Sequence, residues 1–153
     1  MKRVLVLLWV FMLCGCVLGA NGIKNDFLSA QISREQLAKK LVEFSRAPVN
    51  LKDVRIWAER LKDKGPIKGD GSFEKNLQVR EVALTILEAI TGESFSTLKS
   101  GVVTPVKEIV TCRIGDTAWR FHIADLTDEQ YERVAVDVDY WIAGYEAGKN
   151  KRE

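Results

Sequence analysis

Apolar positions follow three rhythms along this chain, and each rhythm predicts a different element. Residues 4–13 form an unbroken apolar run directly behind Lys2 and Arg3. From Ile32 onward the apolar residues recur at helical spacing, as with Leu37, Leu41 and Phe44, which place one stripe on one side of a helix. Between Val106 and Ile123 the period falls to two. Val110, Cys112 and Ile114 alternate with polar neighbours, and so do Trp119, Phe121 and Ile123, with Gly115-Asp116 between them as a two-residue turn. That pattern predicts an antiparallel β-hairpin.

Local signals punctuate the helices. Ser33 and Gln36 have the spacing of a capping box, and Ile32 with Leu37 that of a hydrophobic staple, so the first helix starts at Ser33 and ends before Pro48. Asn50 is a cap for the second helix, whose face is Leu51, Val54, Ala58 and Leu61 with Trp57 beside it, and Gly65-Pro66 stops it. The spacing predicts a third helix over 73–91, closed by Gly92, with Leu77, Val79, Val82, Ala83, Ile86, Leu87 and Ile90 as a wide apolar face. A last helix opens at Thr127 and Gln130 and carries Tyr131, Val134, Ala135, Val138, Trp141, Ile142 and Tyr145. The alternating hairpin faces must be covered by the third or the last helix, with Trp119 as the wedge.

The apolar run at the start is about ten residues long, too short for an ordinary spanning helix but right for an export signal behind a basic region. It ends in Leu13-Cys14-Gly15-Cys16. This box resembles the lipoprotein signal of bacteria, and the resemblance implies cleavage before Cys16 and acylation of its sulfur. Ordinary cleavage after Gly19 or Ala20 would instead release a soluble secreted chain, and a retained anchor is the third route. With Val17 rather than Asp after the cysteine, the resemblance implies the outer membrane, facing the periplasm, if the host is diderm. The organisation expected is a signal peptide over 1–15, a lipidated N-terminus and tether over 16–31, one domain over 32–148 with its hairpin near 106–123, and a frayed tail over 149–153.

Processing leaves Cys112 alone in the mature chain, so no intramolecular disulfide forms and a disulfide-stapled toxin or hormone is excluded. Removing Lys2 and Arg3 also brings 23 basic and 21 acidic residues to balance. The balance hides a separation. Residues 24–80 hold 13 basic and 8 acidic side chains, whereas residues 116–146 hold 8 acidic and 2 basic ones, a dipolar arrangement able to steer a charged partner. Export and the lack of a dense basic-aromatic patch argue against nucleic acid.

The stretch Arg80-Glu81-Val82-Ala83-Leu84-Thr85-Ile86-Leu87-Glu88-Ala89-Ile90-Thr91-Gly92-Glu93-Ser94-Phe95 resembles the last helix of HEAT-like repeats, with the Thr-Gly-x-x-Phe ending of exported bacterial examples. The resemblance implies close helix packing at Ala83 and a cover at Phe95. The hairpin departs from a regular array of that kind. The fold class expected is therefore mainly α: a small helical domain, HEAT-like in its hairpin packing, carrying one β-hairpin.

Catalytic chemistry has little to work with. His122 is the single histidine; the best acid-base set is His122 with Glu108 or Asp116, on the paired strand or its turn. Asp137 and Asp139 are two apart on a helix and do not converge, and Ser94 and Ser96 lack the Gly-x-Ser-x-Gly context. The glycines around Gly65, Gly69 and Gly71 lack the phosphate-loop spacing, and Asp63, Asp70 and Glu74 lack that of a calcium loop. No catalytic, cofactor or metal residues are assigned, and Cys16 is the one site, for lipidation. The expected function is an envelope-anchored protein-interaction or structural module, with the bilayer and an envelope protein as partners. A small-ligand sensor built on Trp57, Trp119 and Trp141 is the alternative, followed by a hydrolytic enzyme using His122.

Overall fold

A computed structural model describes residues 27–28, 30–97 and 104–150. Helices α1 (Arg34–Arg46), α2 (Leu51–Arg60) and α3 (Val79–Thr91) precede strands β1 (Val106–Ile114) and β2 (Thr117–Ala124), and α4 (Asp128–Asn150) follows. The class is thus mixed α and β rather than mainly α, because the hairpin supplies one wall of the core.

The start of α1 follows from its sequence. The Ser33 hydroxyl accepts from the Gln36 amide at 3.1 Å while the Gln36 side chain accepts from the Ser33 amide at 2.8 Å, satisfying two otherwise free helix donors. Asn50 caps α2 through Oδ1, which accepts from the Lys52 amide at 3.0 Å. Gly92 ends α3 at φ 74°, a conformation that suits glycine because it has no Cβ. Gly115 at φ 60°, with no positive φ at Asp116, makes the hairpin turn of the II′ kind.

Position α3 is the centre of the molecule, in contact with α1, α2 and β2. Its residues from Val79 to Leu87 are all buried, with Val82, Ala83, Ile86 and Leu87 fully so. The hairpin lies across α1 and α3, so the third helix does cover it but α1, rather than the last helix, is its second support. The reason lies in α1's own stripe, where Leu37, Ala38, Leu41 and Val42 all sit within the core that Val110, Cys112 and Ile123 enter from the sheet. Helix α4 instead packs on α2. The buried side of α4 is Tyr131, Val134, Val138 and Ile142.

Helix α3 begins six residues later than the periodicity implies. Leu77 is buried, as the stripe requires, but the backbone before Gln78 is used elsewhere: the Ile67 amide donates to Leu77 O at 3.0 Å and the Val79 amide to Gly65 O at 2.8 Å. The Glu74 and Lys75 amides turn to the Glu108 carboxylate. Those long-range bonds replace a first helical turn. Within the stretch read as tether, Phe27 packs on the core and Leu28 is buried. Cys16 and the leader lie outside the described residues, and so do residues 151–153 of the tail.

Candidate functional site

The most heavily bonded polar side chain on the hairpin is Glu108. Its side chain is 1 % exposed, and one oxygen lies 2.9 Å from Arg34 Nη2. The other oxygen accepts from the amides of Glu74 at 3.0 Å and Lys75 at 3.2 Å. Arg34 also donates from Nη2 to Ile109 O at 2.6 Å and from Nε to the same oxygen at 3.0 Å. A buried carboxylate is tolerable only with such saturation. The cluster therefore ties the start of α1, the loop before α3 and β1 into one corner, which is structural work.

Glu81 does the same one turn into α3. One carboxylate oxygen accepts from the Gln78 amide at 2.6 Å, capping the helix, and the other meets Lys107 Nζ at 2.6 Å. Beside it Arg80 reaches Asp128 at 2.7 Å, and Lys64 reaches the other oxygen of Asp128 at 2.6 Å. The hydrogen bonds from Lys64 and then Arg80 hold the Asp128 carboxyl below its usual range. The Arg80 guanidinium also lies 4.4 Å from the centroid of the Tyr131 ring. The Tyr131 hydroxyl is buried without a hydrogen-bond partner, and desolvation first of all pushes its pKa well up. Burial likewise raises Glu88, whose Oε1 accepts from the Ser96 amide at 2.7 Å.

The candidate acid-base set does not assemble. His122 is exposed opposite Ile109, whereas Glu108 sits opposite Ile123 on the inner face, so the two side chains stand on opposite sides of the hairpin. Asp116 is exposed in the turn. The signal that separates them is in the strand itself: Glu108 shares its parity with Val110 and Cys112, and successive side chains alternate between faces. Cys112 is buried. Among the described residues no three His, Cys, Asp or Glu side chains are grouped so as to hold a metal ion. No helix among them is long and apolar enough to cross a membrane.

The tryptophans divide by role. Trp57 is 2 % exposed and meets Phe44 edge to face at 6.2 Å, a core contact. Trp119 is half-buried against the core, stacked with Phe121 at 6.3 Å and covered at 5.1 Å by the guanidinium of Arg46, at the end of α1. Its indole N–H is buried without a partner. Trp141 stacks on Tyr145 at 5.1 Å.

The described surface includes the following two depressions. An open groove of ≈ 430 Å³ runs between α2 and α4, with Arg55 and Lys62 on one wall, Asp139 and Glu146 on the other and Ala58 and Ile142 below. Arg55 bridges to Glu146 at 2.5 Å across it. A second depression of ≈ 300 Å³ lies on the outside of α1, where Phe27 and Ile32 meet Gln36, Lys39, Lys40 and Glu43. It adjoins the point at which the chain arrives from the N-terminal side. Lys39 pairs with Glu35 at 2.7 Å and Lys40 with Glu43 at 2.5 Å; both are helix-surface pairs. Comparison with protein-family models, with curated proteins and with solved structures finds no match to this chain.

Proposed function

We propose that this chain is an exported lipoprotein, acylated at Cys16, whose domain serves as a protein-interaction or structural module at the cell envelope. The leader and its Leu13-Cys14-Gly15-Cys16 box support the location. The observation that carries the interaction reading is the uneven charge along the chain: residues 24–80 hold 13 basic and 8 acidic side chains, whereas residues 116–146 hold 8 acidic and 2 basic ones. Charged surfaces of opposite sign steer and orient a partner. Glu81 and Glu108, by contrast, are taken up by bridges between elements.

The same reading includes HEAT-like packing of the first three helices. It is supported by Ala83, fully buried where α3 meets its neighbours, and by Phe95, which packs on the core beyond Gly92. A small-ligand sensor is the second reading, favoured by the unpartnered indole N–H of Trp119. Cross-linking in intact cells with mass spectrometry tests the first. A specific envelope protein lost on reversing Lys39, Lys40 and Lys62 to Glu, yet kept in His122→Ala, is expected. Turnover abolished by His122→Ala, or a small molecule that quenches Trp119, would replace it.

A further inference from the structure

The hairpin has two edges, and the described residues close one of them. β1 and β2 form a two-stranded sheet, so each strand turns half of its backbone N–H and C=O groups away from the other. Ile114 and Thr117 flank the two-residue turn as a hydrogen-bonded pair, and the pairs alternate from there. The backbone groups of Ile109, Thr111 and Arg113 therefore face outward from β1, and those of Ala118, Arg120 and His122 outward from β2. Arg34 agrees with this alternation, because the oxygen that its Nε and Nη2 reach is that of Ile109. It also blocks the β1 edge.

The β2 edge has no such cover among the described residues. Ala118, Arg120 and His122 are all exposed, and no strand or isolated bridge other than β1 pairs with β2 there. Apart from β1, the elements in contact with β2 are α1 and α3, which lie under the inner face that carries Ile123. An open edge of this kind accepts an added strand, whose own backbone supplies the missing partners.

Side chains decide which strand. On the outer face Arg120 stands opposite Thr111, and Arg113 opposite Ala118, whose methyl is too small to screen a guanidinium from a strand on its far side. No carboxylate among the described residues pairs with either arginine. Asp116 and Asp125 lie beyond the two ends of β2. Of the acids on α3, Glu81 is held by Lys107 and Glu88 by the Ser96 amide. The inner face offers Trp119 and Phe121, stacked on each other and each partly covered. Successive residues of an added strand point to opposite faces, so the complementary sequence alternates acidic with apolar residues. Its acids face Arg120 and Arg113, and its apolar side chains extend the row of Trp119 and Phe121. A second copy does not fit, because two β2 edges joined about Arg120 set arginine against arginine.

We propose that the β2 edge docks an extended acidic-apolar segment of another protein as a third strand beside Ala118, Arg120 and His122, a site that rests on the interaction reading above and gives it a surface. The test titrates the full chain, in a mild detergent, with a fluorescent synthetic peptide of alternating glutamate and valine, and follows backbone hydrogen exchange. The amides of Ala118, Arg120 and His122 are expected to exchange freely in the chain alone and to slow on binding, with those of Trp119 and Phe121 protected throughout. Affinity is expected to fall at least about tenfold with Arg120→Glu, with lysine in place of the peptide's glutamates, and with N-methylation of every peptide amide, which removes strand pairing but keeps the charge. Arg120 is exposed, so Arg120→Glu keeps the fold, as an unchanged thermal melt will show. Absence of peptide binding, binding indifferent to N-methylation, a dimer joined through β2, or edge amides already protected in the free chain would each overturn the docking site. An envelope partner lost on reversing Lys39, Lys40 and Lys62 would in that case still uphold the interaction reading, so the two fail separately.

Discussion

Arg34 and Glu108 meet at 2.9 Å, joining the first residue of α1 to the buried edge of β1. Because Arg34 also donates twice to Ile109 O, the pair fixes both the position of the hairpin and the register in which it lies on the helix.

Arg34→Met should destabilise the domain by about 3 kcal/mol, the low end for stripping a partner from a buried charge, because Arg34 is itself one-third exposed. Glu108→Gln, which keeps an acceptor for the Glu74 and Lys75 amides, should cost less. Combining Arg34→Met with Glu108→Leu should recover much of the loss, since an apolar pair leaves no charge stranded. Urea unfolding of the four proteins measures this. Equal stability of Arg34→Met and the parent would show that the pair is not coupled to folding.

Leu87 is fully buried at the middle of α3. Leu87→Ala should lower stability by about 2–5 kcal/mol, from lost burial and the cavity left behind. An unchanged unfolding midpoint would remove α3 from the centre of the core.

Glu88 predicts the behaviour with pH. Its folded pKa is raised by burial, so the unfolded chain ionises first, and stability falls as pH rises from the ordinary value of 4.5 through the folded one. Glu88→Gln keeps an oxygen to accept from Ser96 but cannot ionise. It should therefore be the more stable protein at neutral pH and lose that advantage in acid, as thermal melts across pH will show. A gain of equal size at all pH values would refute ionisation as the cause.

Tyr131 carries the matching alkaline prediction. Desolvation raises its folded pKa above 10.0, so the parent loses stability as pH climbs past 10.0, where the unfolded phenol ionises. Tyr131→Phe removes this component, keeps the ring under Arg80 and deletes an unpartnered hydroxyl, for a gain of about 1 kcal/mol. Destabilisation instead would reveal a hydrogen bond to the hydroxyl.

What the sequence made legible was whatever depends on near neighbours. Ser33 with Gln36, Asn50, Gly92 and Gly115-Asp116 mark ends and turns because caps and turns are decided within four residues. The inward stripe of α4 was equally plain, from Tyr131 to Ile142. The first turn assigned to the third helix was not, because Glu74 and Lys75 spend their amides on Glu108 in a strand still to come, and periodicity contains no such information. Likewise nothing near Arg34 announces a buried carboxylate partner. His122 was readable as outward-facing from its alternation with Phe121 and Ile123; the same alternation, applied to Glu108, places it inward.

Anchoring of this domain through Cys16 is measured most directly at the N-terminus of the mature chain. The full chain, expressed in a bacterium and partitioned between detergent and water, should enter the detergent phase, with acyl mass on a peptide beginning at Cys16, and Cys16→Ser should abolish the modification without altering the fold. A water-soluble product beginning after Gly19 or Ala20, with no lipid on any peptide, would contradict it.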